Sequence, residues 1–173
     1  YSAGFTQRPD ISMMGVFSGI EMAIWDILGK AHGVPVYELL GGRFHDRLRT
    51  YSYLYPLETD SAGNALPDEP DVYHDGDAAA ESALRFLEMG FTAIKVDPTG
   101  PYSFQGGREL SLAELHRAEY ATRRIREAVG DRADILFGTH GQMTTASAIR
   151  LAQRLEPYDP LWFEEPCPPD QLD

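Results

Sequence analysis

"ADILFGTHGQ", residues 133–142, carries Ala133, Ile135, Leu136 and Phe137 into Gly138, Thr139, His140 and Gly141. A short apolar run bounded by turn formers reads as a buried strand. This one surfaces at an imidazole set between small residues. Such a histidine is either a satisfied loop residue or part of a site, and the neighbouring segments decide between the two.

Three further stretches share the pattern: "TYSYL" (50–54), "FTAIKV" (91–96) and "LWFEE" (161–165). Helical rhythms separate them. Asp77 is placed to cap a helix over 78–89, with Ala80, Ala83, Leu84 and Leu87 on one face and Gly90 after it. Ser111 and Glu114 have the spacing of a capping box for 112–129. Ala148, Ile149, Ala152 and Leu155 give a face to 145–155. Strands alternating with helices predict βαβ units and a parallel sheet. Ligand sites of such sheets lie at the carboxyl ends of the strands.

Upstream, "SGIEMAIWDILGKAHG" repeats apolar residues at Ile20, Ala23, Ile24, Ile27, Leu28 and Ala31. That is one buried helix face, with Ser18 and Glu21 as its capping box and Gly33 as its stop. "VPVYELLGG" follows as a short helix opened by Pro35 and closed by Gly41 and Gly42.

The chain has 173 residues, 43% apolar and 24% charged, the composition of an ordinary globular protein. A net charge of −12 argues against nucleic acid as a partner. Cys167 is the single cysteine, so neither an internal disulfide nor a multi-cysteine zinc site is available. No apolar run approaches the roughly 20 residues of a membrane span, and "YSAGFTQRPD" lacks the form of a signal peptide. A cytoplasmic protein acting away from membranes is the expectation.

The strand-end rule sorts the polar residues. Lys95 and Asp97 end the second strand, His140 lies just past the third, and Glu164 and Glu165 end the fourth. The loops on that side, 55–76 and 98–110, are the long ones, as on the functional face of a barrel. Lysine in an apolar strand needs a partner, so Lys95 is either a structural ion pair or a functional cation. Asp97 before Pro98 reads as a turn residue. One of Glu164 and Glu165 points into the sheet interior, and alternation alone leaves open which. Together a lysine, an imidazole and a carboxylate would supply a cation, an acid/base group and a metal ligand. His32, His45, His74 and His116 read as structural or solvated, Trp162, Phe163 and Cys167 as packing, and Tyr55 and Tyr102 as site-side loop residues.

"SGIEMAIWDILGKAHGVPVYELLGGRFHDRLRTYSYL", "GFTAIKVDP" and "FGTHGQMTTASAIRLAQRLEPYDPLWFEEPCPPD" resemble the enolase superfamily. The likeness is to its mandelate racemase/muconate lactonizing branch, and within it to sugar-acid dehydratases of galactonate-dehydratase type and anhydrosugar-acid cycloisomerases. The resemblance implies an α/β fold: residues 1–48 as the last helices of an α+β capping domain, and 49–173 as the first half, about four strands, of a TIM-like (β/α) barrel. It also implies a homo-oligomer and a small-molecule sugar acid as substrate. Mg²⁺ would stabilise the enediolate formed when a base takes the proton alpha to the carboxylate.

Carried over by position, the resemblance makes Glu164 the fourth-strand metal ligand, Lys95 a carboxylate-binding or acid/base residue, and His140 the acid that protonates the departing hydroxyl. Two positions depart from the pattern. Gly138 stands where the family's third-strand aspartate binds metal, and Asp97 where it has a second lysine. Dehydration is the leading expectation. A cycloisomerase or racemase, or a barrel that has lost its metal and serves as a binding protein, are the alternatives. Four strands alone would leave two open sheet edges, so the chain reads as part of a longer barrel.

Overall fold

The computed structural model describes residues 11–55, 66–67, 69–100 and 108–169. The loop readings at 56–65 and 101–107, Tyr102 among them, lie outside the described residues. Two compact units are present, Tyr1–Leu48 and Arg49–Asp173.

In the first unit, α1 (Ile11–His32) is followed by α2 (Val36–Leu39). The helix starts well before the expected capping box: Ser18 and Glu21 lie in its interior, because "ISMMGVF" continues the apolar helical run and a lone Gly15 does not stop it. Only Gly29 is buried along α1; a Cβ there would stand 2.9 Å from the Val34 carbonyl oxygen. The predicted inner face is exposed, with Ile20 at 56% and Ile27 at 62%. By length and composition alone, α1 could cross a membrane, which corrects the expectation that no such run exists.

The second unit is built from β1 (Ser52–Tyr53), α3 (Gly76–Glu88), β2 (Ala93–Val96), α4 (Leu112–Val129), β3 (Asp134–Gly138), α5 (Thr145–Leu155) and β4 (Pro160–Glu164). The strands form one parallel sheet in the order β1-β2-β3-β4. Consecutive order throughout, with α3 against α4 and α4 against α5, is the winding of a (β/α) barrel wall. A doubly wound sheet would reverse its order at a switch point.

One face of the sheet is the core. Leu54, Ile94, Val96, Ile135 and Phe137 pack against Ala83, Leu115, Ile125, Ala148 and Leu151 from the helices. Each large apolar side chain so buried contributes about 1.5–3 kcal/mol. Period-two alternation sends the intervening residues, Tyr53, Lys95, Gly138, Trp162 and Glu164, to the opposite face. Trp162, expected as packing, is 38% exposed there and stands edge-on to Tyr51 at 5.5 Å.

The helix caps show how local chemistry fixes the frame. Asp75, not Asp77, caps α3, accepting from the Asp77 and Ala78 amides. Asp77 instead pairs with Arg124 and accepts from the Tyr120 hydroxyl on α4. Gly76 is required where the two helices touch, since a Cβ would lie 2.9 Å from Ala121 Cα. The Ser111–Glu114 capping box forms as expected.

Arg108 bonds Glu114 at 2.5 Å and, with the Ser111 bonds, lowers its carboxyl to about 2. A depressed carboxylate stabilises the fold above its unfolded value and loses that contribution as pH falls through the folded one. Glu114→Gln should therefore cost about 1 kcal/mol at pH 7 and much less near pH 2, where the folded carboxyl is half protonated. Paired thermal melts at the two pH values check this, and an equal loss at both would refute the charge argument.

Candidate active site at the strand ends

Of the residues singled out in the sequence, Lys95 and Glu164 meet at the carboxyl ends of β2 and β4, and His140 lies just past the end of β3. Lys95 is the third residue of β2 and is 6% exposed. Its Nζ reaches Glu164 Oε1 at 2.5 Å, and it stands 5.3 Å from the Tyr51 ring and 5.6 Å from the Tyr53 ring. Burial disfavours the ammonium, but the Glu164 hydrogen bond and charge, with Tyr51, outweigh it and hold the pKa above that of an ordinary lysine. Lys95 is thus a fixed cation at neutral pH. Glu164, not Glu165, is the carboxylate on this face.

Gly138 makes that arrangement possible. A Cβ at 138 would fall 2.6 Å from Lys95 Cε and 2.9 Å from the Tyr53 hydroxyl oxygen. The space a side chain would need is filled by the lysine on its way to Glu164.

His140 is aimed by backbone. Beyond β3 and β4 the two chains continue side by side. Thr139 donates its amide and hydroxyl to the Glu164 carbonyl at 3.2 and 2.7 Å, Gly141 donates to the Glu165 carbonyl at 2.6 Å, and Met143 to that of Pro166 at 3.1 Å. Between these straps His140 takes a left-handed conformation, φ +56°. Histidine adopts this region more readily than most residues, yet still at a cost of about 1–2 kcal/mol. Its ring is 35% exposed, lies 6.4 Å from the Tyr53 ring, and has Nδ1 3.7 Å from Asp97 Oδ2.

Asp97 is more than the turn residue expected. Its side chain is 3% exposed. Oδ1 accepts from the Thr99 amide at 3.0 Å and the Thr99 hydroxyl at 2.9 Å, while Gln142 Nε2 approaches Oδ2 at 3.4 Å. Burial raises its pKa despite those donors, His140 and Arg108. Gln142 is held in turn by Arg108 at 3.1 Å.

Tyr53 and Gln142 were not singled out in the sequence. The Tyr53 ring lies 5.6 Å from Lys95 Nζ and 6.4 Å from the His140 ring, and burial first, then Asp97, Tyr55, Tyr73 and Glu164, raise its phenol pKa. Tyr73 is pushed up to about 12 by burial, Tyr55 and Asp97. Tyr55, expected on the site side, stacks on Tyr53 at 4.6 Å. The alternating tyrosines of "TYSYLY" were the available signal. Gln142, just past the histidine, gave none.

Residues 78–173 match the family described as enolase C-terminal domain-like, and 4–41 match the mandelate racemase/muconate lactonizing enzyme N-terminal domain. The chain belongs to this family, the mandelate racemase/muconate lactonizing branch of the enolase superfamily. It is 37% identical over 165 residues to a D-xylonate dehydratase of Haloferax volcanii, covering 93% of this chain and 37% of that protein. It is 38% identical over 149 residues to a D-gluconate dehydratase of Thermoproteus tenax, covering 86% and 26%. A mandelate racemase/muconate lactonizing enzyme-like protein from Roseovarius sp. TM1035 superposes with a TM-score of 0.85 at 53% identity, over 99% of this chain and 41% of that one. The chain thus spans about a third of the length of these curated relatives.

Members of this family are typically metal-dependent, and the residues here test whether they fit such a group. Among the described residues no three carboxylate, imidazole or thiol groups gather as a cation site. Gly138 offers no donor, and Glu164 is engaged by Lys95. The described residues do not by themselves fit a divalent cation.

Proposed function

We propose that this protein dehydrates a sugar acid by enolate chemistry, with Lys95, His140 and Glu164 in the site. The observation that carries this is the Lys95–Glu164 pair beside Gly138 and Tyr53, with the His140 ring 6.4 Å from that of Tyr53, at the ends of consecutive parallel strands. The dehydratases among the relatives support it.

Loss of the proton alpha to a carboxylate builds negative charge on the carboxylate oxygens. The buried Lys95 ammonium, fixed by Glu164 and flanked by two rings, is suited to receive that charge. Departure of the neighbouring hydroxyl needs a proton, which His140 supplies from a partly exposed ring as the C–O bond breaks. One water leaves, and the enol left behind tautomerises to an α-keto acid. The base that takes the first proton lies outside this set of residues. The Mg²⁺ implied by the resemblance carries no step here, because its ligands are not assembled among the described residues.

The domain reading belongs to the same proposal: 1–48 as the end of a capping domain and 49–173 as barrel. So do a cytoplasmic location, with which the single cysteine is consistent, and the homo-oligomeric state that the resemblance implies.

The test is a panel of sugar acids incubated with the full protein, with products identified by mass spectrometry. An α-keto acid lighter by one water is expected from at least one of them. His140→Asn should lower kcat about 100-fold or more. A product of unchanged mass would replace dehydration by cycloisomerisation, and no turnover across the panel would favour a binding protein.

A further inference from the structure

The Asp97 carboxylate is buried, yet nothing in the proposed chemistry uses it. Carboxylates in the interior are costly unless their lone pairs are occupied. One oxygen of Asp97 is taken by Thr99 through two hydrogen bonds. The other is directed at the loop after β3, where Gln142 Nε2 lies at 3.4 Å and His140 Nδ1 at 3.7 Å.

The carboxylate is itself fixed from behind. Arg108 donates to Gln142 at 3.1 Å and to Glu114 at 2.5 Å, and Glu114 is locked into the capping box of α4. A chain of hydrogen bonds thus runs from the start of α4 through Arg108 and Gln142 to Asp97, whose Oδ2 stands 3.7 Å from His140 Nδ1, just beyond hydrogen-bond range. The backbone adds a second constraint, since His140 is held left-handed between straps to the Glu164 and Glu165 carbonyls.

From this geometry we propose that Asp97 is a positioning residue for His140, fixing the imidazole as the Nδ1–H tautomer and leaving Nε2 as the atom that exchanges protons with a substrate. The assignment of His140 as the acid rests on the reaction proposed above, whereas the tautomer does not. A carboxylate against one imidazole nitrogen selects the tautomer with hydrogen on that nitrogen and orients the opposite one. The departure at Asp97, which removes the lysine the family usually has there, thereby gains a role of its own.

The experiment uses full-length protein labelled with ¹⁵N-histidine at pH 8.5, where an ordinary imidazole is neutral. Long-range proton–nitrogen correlation identifies the tautomer, with His140 assigned by the peak missing in His140→Asn. Wild type should show His140 as Nδ1–H, and an Nε2–H tautomer there overturns the proposal without any variant of Asp97. Asp97→Asn should abolish the Nδ1–H preference. In steady-state kinetics on whichever sugar acid is turned over, it should lower kcat about 100-fold with KM changed less than about threefold. A variant that keeps the tautomer and its kcat, or that loses KM alone, also overturns it. Absence of any turnover would sink the dehydratase reading and leave the tautomer result standing.

Discussion

Lys95→Met should reduce kcat/KM by at least about 1,000-fold while leaving the fold intact, the largest loss expected from any single change in this chain. The ammonium is held against Glu164 at 2.5 Å, and its side chain is 7% exposed. Methionine matches its length and apolar stem, so the walls formed by Tyr51 and Tyr53 keep their contact. Glu164 is 38% exposed and is able to solvate once its partner is gone. Replacing a buried charge with an apolar side chain of similar volume is often neutral for stability. Activity and melting temperature should therefore separate: turnover lost, Tm within a few degrees of wild type. Lys95→Arg should not restore activity, because a planar guanidinium cannot take the place of a compact ammonium. If Lys95→Met instead unfolds the protein, the pair is a structural ion pair, the bland alternative weighed for this residue.

Gly138→Asp is the second large effect. Its Cβ would stand 2.6 Å from Lys95 Cε and 2.9 Å from the Tyr53 hydroxyl oxygen, closer than side chains approach one another. The lysine end is flexible and yields first, swinging from Glu164 toward the new carboxylate. The cost of overpacking is about 1–3 kcal/mol, which lowers Tm by several degrees in a domain of this size. With its cation displaced, the site should lose about 100-fold in kcat/KM. Gly138→Ala separates the two causes, since it crowds Lys95 without offering it a new partner. A Gly138→Asp protein with unchanged Tm and activity would show that Lys95 does not sit over residue 138.

The aspartate substitution also asks whether a second carboxylate beside Glu164 creates a cation site. Two carboxylates would then flank the position, and Mg²⁺ titration calorimetry on the full protein should show tighter binding than wild type. No gain would mean that strand-end carboxylates alone do not define the site.

Much of this was legible in the amino-acid order because it depends on near neighbours. The "DILFG" strand at 134–138, the helix over 145–155 and the Ser111–Glu114 box follow from turn residues and capping pairs whose partners lie within one turn. The parallel sheet followed from alternation of strand and helix, and the strand-end rule then brought Lys95, His140 and Glu164 to one end of it. The start of α1 was misplaced because an apolar run can prolong a helix through a capping pair. Asp75 displaced Asp77 as a cap because two acids two residues apart satisfy the same local pattern, and only the Arg124 partner on α4 separates them.

What only the tertiary structure decided is what lies across strands. That Glu164 rather than Glu165 meets Lys95 depends on the register pairing Gly138 with Glu164. That Gly138 is room for a lysine, and not merely a lost ligand, depends on side chains from β1 and β2 above it. That Asp97 faces His140 depends on two loops from different strands arriving together. Contacts of 43 to 69 residues' separation leave no periodic trace in a single sequence. They are set by strand register and side-chain length, which exist only once the sheet has formed.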